Sequence, residues 1–295
     1  MLTLEYLAEL LDQNRAAGQA QVKEFAIGGR HFPFNSRGAI MGVINLSSDS
    51  WYRESVCLNA DQAIARGRVL RAQGADLIDV GAESTLAHAA RVDDAGQMGK
   101  LLPVIREFRA AGMPISVETY QLAVTRSCLE AGASVLNFTG SEGTDELFRL
   151  VAAHDAAVIL CYVQGQDVRA VGDFDLEAEP VGLMRDYFAR RIDSALRNGV
   201  EKIIVDPGLG FYYRNLQDSA VRVRHQMKVF LNTFRLRELG FPVCHALPHA
   251  FEYFGEEVRC AEPFFAVLAA LGRTSLFRTH EVARIKAVLD TLGIF

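Results

Sequence analysis

"IMGVINLSSDSW", residues 40–51, decides how the chain is read. Ile40, Met41, Val43 and Ile44 make the apolar run of a strand buried on both faces, and Asn45, Ser47, Ser48, Asp49 and Ser50 follow at once. Burial on both faces is the habit of parallel sheets, which helices cover on either side. The same succession, a greasy run and then a polar residue, recurs along the chain. Runs at 39–45 (AIMGVIN), 76–81 (DLIDVG), 114–118 (PISVE), 134–138 (SVLNF), 157–163 (AVILCYV), 202–206 (KIIVD), 242–246 (PVCHA) and 275–280 (SLFRTH) make eight expected strands. Helical patterns separate them, such as DQAIARGRVLRAQG at 61–74, AGQMGKLLPVIREFRAAG at 95–112, GLMRDYFARRIDSALRNG at 182–199 and VRHQMKVFLNTFRLRELG at 223–240. Several close on Gly, which suits a helix C-cap. Eight β-α units predict an α/β protein of the (β/α)8 barrel type. An open doubly wound sheet is the alternative, but it needs a Gly-rich phosphate loop after the first strand, and GVINLSSDS is not one.

Ahead of the barrel, residues 3–17 read as an amphipathic helix and EFAIGGRHFPF (24–34) as a β-hairpin about Gly28-Gly29. The expected organisation is a cap over residues 1–36 and a barrel over 37–295, a single domain overall. Residues 165–180, acidic and poor in apolar runs, read as the most loop-like stretch.

Composition narrows the function. Half of the 295 residues are apolar, enough for a large core, and the net charge is −5 with no basic stripe. Nucleic acid is therefore not an expected partner. The five cysteines, Cys57, Cys128, Cys161, Cys244 and Cys260, are scattered and form no C-x-x-C, as reduced thiols do. The first residues lack the pattern of a secretory signal, and no apolar run reaches membrane-spanning length, so a cytoplasmic protein without membrane association is expected.

The polar residues that end strands are the candidate site. They are Asn45, Asp79 with Glu83, Glu118, Asn137, Asp206, His245, and Arg278 with His280. Any one alone is an ordinary turn former or helix cap. In a barrel, however, all these ends open onto one face, the face that carries the active site. Glu118, Asp206 and Asn137 suit a ring that presents N–H donors, because a carboxylate accepts two parallel bonds from an amidine-like edge. Arg278 and His280, two apart on a strand, point to one side and suit a phosphate or carboxylate, with Asn45 as a neutral donor or metal ligand. In DPGLGF (206–211), Gly208 and Gly210 let backbone approach a ligand and Phe211 can wall a flat ring. Cys244, His245 and His249 are residue types that could together hold a metal. Pro248 argues against a helix that would align the two histidines, and the favoured reading is a core cysteine with partly exposed histidines.

Taken in order, IMGVINLSSDS, GADLIDVGAEST, PISVETY, AGASVLNF, IIVDPGLGF and FRTHEV resemble the successive signatures of the dihydropteroate synthase family, over about residues 22–292. DSWYRES in the first loop is similar to its sulfonamide-insensitive branch. The resemblance implies a pterin-binding TIM barrel of folate biosynthesis. Such enzymes join p-aminobenzoate to 6-hydroxymethyl-7,8-dihydropterin diphosphate, release pyrophosphate, use Mg2+ and commonly form homodimers. It implies that Glu118, Asn137 and Asp206 hold the pterin with Phe211 against the ring, and that Asn45, Arg278 and His280 serve the diphosphate and magnesium end. Thr85 would lie on the p-aminobenzoate side.

The chain departs from the family in three places. Glu118 stands where the family has Asp, and Leu86 where a Ser-Thr-Arg motif has its Arg. Pro248-His249-Ala250 replaces Ser-Arg-Lys, whose lysine binds the pterin. Two cations facing an anionic transition state are thus lost, each of which can matter by up to about 4 kcal/mol at an effective dielectric near 20. His249 is the nearest replacement in sequence, with Arg53, Arg91 and Arg214 as others. The expected function is a synthase with a divergent active centre. The alternatives are a non-catalytic or repurposed pterin-binding protein and, less favoured because Arg278 and His280 suit a diphosphate leaving group, a pterin-dependent methyltransferase.

Overall fold

The computed structural model describes residues 2–47, 55–84, 91–141, 144–165, 179–210, 216 and 218–294. Among them, eight strands form one parallel sheet. They are β3 (Ala39–Asn45), β4 (Leu77–Gly81), β5 (Ile115–Thr119), β6 (Val135–Phe138), β7 (Ala157–Cys161), β8 (Ile203–Asp206), β9 (Cys244–Ala246) and β10 (Leu276–Thr279). Their order is β8-β7-β6-β5-β4-β3-β10-β9. A parallel bridge between Val205 and Val243 joins the two ends, and Val205 N–H donates to the Pro242 carbonyl at 3.0 Å. The sheet is closed into a barrel, as eight apolar runs predicted. Each run contains its strand, trimmed at the ends. The seventh starts late because Pro242 has no N–H to give to a ladder.

Alternation along each strand splits the core in two. Outward residues such as Ile40, Ile44, Ile78, Val80, Val117, Val158 and Val205 are fully buried against the covering helices. These are α3 (Ala60–Ala72), α4 (Asp94–Ala110), α5 (Leu122–Ala131), α6 (Thr144–Ala153), α7 (Pro180–Arg197), α8 (Ser219–Asn232), α10 (Ala261–Leu271) and α11 (Val282–Leu292), with a short α9 (Phe251–Phe254) before α10. Inward residues Met41, Leu77, Val135, Ile159, Ile204 and Leu276 form a second cluster with Phe25, Ile27, Phe32 and Phe34. Those aromatics belong to the hairpin of β1 (Phe25–Ile27) and β2 (Arg30–Phe32), which plugs the N-terminal end of the barrel. Its turn requires glycine. Gly28 has φ +57°, and a Cβ there would lie 2.9 Å from Ser134 Oγ, at the start of β6. Buried Arg237 ties the plug down. Its guanidinium donates to Asn35 Oδ1 at 2.8 Å, to Ser275 Oγ at 3.1 Å and to the Ala20 carbonyl at 3.3 Å.

Two expected helices are interrupted. The helix expected over 3–17 divides into α1 (Leu4–Gln13) and α2 (Arg15–Gln19), because Asn14 leaves helical geometry with φ −132° and returns its amide to the Leu10 carbonyl at 2.9 Å. The helix expected over 223–240 begins earlier, ends at Asn232 and continues as a 3-10 turn (Thr233–Leu239). There Asn232 and Thr233 donate back to the Lys228 and Val229 carbonyls, both at 2.9 Å, a local competition that bends or ends helices. Residues 166–178 of the expected loop lie outside the described residues, while Glu179 and Pro180 begin α7, with Glu179 accepting from Gly182 N–H at 2.7 Å. No described helix is long and apolar enough to cross a membrane.

Candidate active site at the C-terminal mouth of the barrel

Closing the sheet brings the strand ends together. Asn45, Glu118, Asn137, Asp206, Arg278, His249 and His280 all line one pocket, although they come from six different strands or the loops behind them. The C-terminal ends of parallel strands all face one way, so polar residues there converge whatever their separation in sequence.

Arg278 sits at the centre of an acid cluster. Its Nε donates to Asp79 Oδ2 at 2.8 Å and its Nη2 to Glu118 Oε2 at 2.7 Å. Asp79 is fully buried and accepts from Ser116 Oγ at 2.6 Å and from Asn137 Nδ2 at 3.2 Å. The Asn137 oxygen in turn lies 3.5 Å from Cys161 Sγ, so Asn137 is oriented from both ends. Asp206 accepts from Gly208 N–H at 2.8 Å, a turn made possible by positive φ (+72°) at Gly208.

Burial sets the protonation of these acids. It pushes Glu118 up to about 7; the Arg278 charge opposes the shift and neighbouring Asp79 and Asp206 add to it. Burial likewise raises Asp206 to about 6, against the Gly208 N–H bond and Arg278. Arg278 is held firmly protonated: burial works against its charge, but Asp79 and Glu118 outweigh it. The pocket is therefore richer in acid than one guanidinium neutralises. Arg222, which also lines it, is paired with Glu252 at 2.7 Å.

Arg278 and His280 share the pocket but not their partners. Past the end of β10, His280 Nδ1 lies 2.9 Å from Oε1 of Glu262, in the first turn of α10. His249 Nε2 lies 3.1 Å from the same oxygen. Glu262 is wholly buried and also accepts from the Thr279 hydroxyl and from the backbone N–H groups of His280 and Glu281, at 3.1 and 3.3 Å. Although burial favours its neutral form, contacts with His249 and His280 hold its carboxyl well below the usual range. Ala250, at the family's lysine position, is buried in the core.

Two sequence expectations need correction, the partial exposure of His245 and that of His249. His245 is not partly exposed. It is fully buried on the outside of the barrel, with Nε2 2.7 Å from Thr233 Oγ1 and its ring 4.7 Å from Phe230, and burial lowers its pKa to about 3. Alternation puts its neighbour Cys244 on the opposite, inner face, so Cys244, His245 and His249 are not a ligand set. His249 is buried as well, against Glu262. Among the other cations weighed, Arg91 donates to the Tyr120 hydroxyl at 2.9 Å. Thr85, Leu86, Phe211, Arg53, Arg214 and most of the first-loop stretch DSWYRES lie outside the described residues. The sequence reading leaves out one site residue and understates another. Asp79 reads as one strand-end acid among several, whereas it is the hub that Arg278, Ser116 and Asn137 share, and Glu262 is the residue left out. Its signal is a lone acid in the apolar helix AEPFFAVLAAL.

Residues 41–246 match the profile of the family described as pterin binding enzyme. The chain is 31% identical over 216 residues to a Streptococcus pyogenes dihydropteroate synthase, covering 72% of this chain and 75% of that protein. It belongs to the dihydropteroate synthase family. A Synechocystis dihydropteroate synthase is 28% identical over 283 residues, covering 90% of this chain and 94% of its own. The structure of the Xanthomonas albilineans dihydropteroate synthase with 4-aminobenzoic acid superimposes with a TM-score of 0.76 at 26% identity, over 93% of this chain and 98% of that one. The same enzyme in complex with 7,8-dihydropteroate gives 0.74 at 26% identity, over 92% and 98%.

Proposed function

We propose that the protein binds a pterin diphosphate at the barrel mouth and condenses it with p-aminobenzoate or a similar arylamine, as a divergent dihydropteroate synthase. The observation that supports this most is the cradle of Asp79, Glu118 and Asp206 around Arg278. A pterin presents adjacent N–H groups, and carboxylates accept such bonds with charge assistance, each of about 1.5–3 kcal/mol. Asp206 and Glu118 are the acids that meet the ring, Arg278 keeps Glu118 oriented, and Asn137 lies on the same wall. Phe211 closes over the ring and Thr85 contacts the aminobenzoate, by family position.

In the reaction the arylamine nitrogen attacks the pterin methylene carbon. The C–N bond forms, the C–O bond to diphosphate breaks, and the amine gives up a proton. An acid-rich mouth favours positive charge on the pterin as the anion departs. His280 and Asn45 lie at the diphosphate end. The Asn45 amide nitrogen donates to Ser55 Oγ at 2.6 Å, and its amide oxygen is a hard donor of the kind magnesium takes. A single protein oxygen fits an ion that keeps its waters and takes substrate phosphates. Magnesium bound there would offset the leaving group's charge. The same reading includes a homodimer, to be checked by sedimentation.

One arrangement favours a second reading, a pterin-binding protein without the condensation. Ala250 supplies no cation and His249 is turned to Glu262. Incubation with pterin diphosphate and p-aminobenzoate, following pyrophosphate, separates the two. A synthase releases pyrophosphate and forms dihydropteroate, and Asp206→Asn suppresses both. Pterin binding without pyrophosphate release establishes the second reading instead.

A further inference from the structure

We propose that His249, Glu262 and His280 form a binding site for one zinc-class transition-metal ion, set into the wall of the pocket. Three separate elements contribute: the loop after β9, the first turn of α10 and the end of β10. Glu262 Oε1 stands 2.9 Å from His280 Nδ1 and 3.1 Å from His249 Nε2, and the three ligand atoms lie within 4.8 Å of one another. Metal bonds of about 2.0–2.2 Å at tetrahedral angles place ligand atoms roughly 3.3–3.6 Å apart, so small movements of the two rings would seat an ion.

The surroundings are those of a supported ligand set. Glu262 Oε2 is fixed by the Thr279 hydroxyl and by the N–H groups of His280 and Glu281. The Phe251 ring stacks on His249, with centroids 6.0 Å apart and planes 19° from parallel. Such outer contacts orient first ligands and raise metal affinity. Two imidazoles with one carboxylate select zinc or cobalt over magnesium, which demands oxygen. The site is thus distinct from the magnesium position at Asn45. Three protein ligands leave a fourth position, and since His249 and His280 both line the pocket, a fourth ligand would come from the pocket side. An ion there would act as a Lewis acid toward an anionic group that enters the pocket. Seating it exchanges the imidazole protons that face Glu262 for the metal.

The inference does not depend on the synthase reading, and its readout is metal binding, not turnover. The full-length protein, stripped with chelator and dialysed, is titrated with Zn2+ by calorimetry and with Co2+ by visible absorption. The expected result is saturation at equimolar metal, ligand-field bands of four- or five-coordinate cobalt, and at least about 100-fold weaker binding in both His249→Ala and Glu262→Gln. Circular dichroism confirms that the variants fold, and if Glu262→Gln does not, His249→Gln takes its place. The absence of saturable binding by the wild type, or equal binding by folded variants, would overturn the proposal and leave the three residues as a hydrogen-bonded group.

Discussion

At the scale of single residues, burial of acids governs the mouth of the barrel. Glu118 and Asp206 have folded pKa values of about 7 and about 6, above their ordinary values of 4.5 and 3.8. Between the ordinary and the raised value these two acids bind more protons in the folded state than in the unfolded one, so their share of stability falls as pH rises through that window. Buried His225 and His245, held down to about 4 and about 3, work in the opposite direction below about pH 6.5, so the acids' share is read as a difference: as pH rises from about 4.5 to 7, the urea midpoint of the ligand-free wild type should fall relative to that of Glu118→Gln. A wild-type midpoint that climbs relative to that of Glu118→Gln over the same range would contradict the protonation state assigned to Glu118. Ligand binding follows the opposite sign. Pterin N–H groups require ionised acids, so affinity should rise from about pH 5 to 7.5, with proton release at the lower end. Calorimetry in buffers of different ionisation enthalpy detects that release; uptake of protons would refute it.

At the scale of elements, the hairpin is a structural plug. Phe32 is 1% exposed and packs with Phe34, their centroids 5.6 Å apart. Truncation of a buried Phe costs about 3–5 kcal/mol, so Phe32→Ala should lower thermal stability sharply. Since the plug is at the end opposite the pocket, pterin affinity of the folded fraction should hold. An unchanged melting temperature would mean that the hairpin does not close the barrel. The strands were legible in the sequence because each is apolar on successive residues, a pattern that survives any tertiary context. The breaks at Asn14 and Asn232-Thr233 were less so. They depend on side chains turning back onto a carbonyl four residues earlier, and the periodicity runs through them without a gap.

At the scale of the whole molecule, barrel closure makes a site out of residues that are distant in sequence. The rim was legible in outline, since every strand end of a parallel barrel opens on one face. The pairings within it were not. By sequence Arg278 reads as an anion ligand beside His280, whereas closure brings it to 2.8 Å from Asp79, 199 positions away in the chain, and turns it to acids. Glu262 escaped notice because it comes from a helix between strands, where a lone acid reads as a cap. The central claim, that this acid-lined mouth holds a pterin, is tested most directly by calorimetric titration of 6-hydroxymethyl-7,8-dihydropterin diphosphate at neutral pH into wild type and Asp206→Asn. The account predicts saturable binding at one ligand per chain, weakened about 10- to 150-fold by the substitution, the equivalent of one charge-assisted hydrogen bond. Absence of binding to the wild type, or equal affinity for the two proteins, would contradict it.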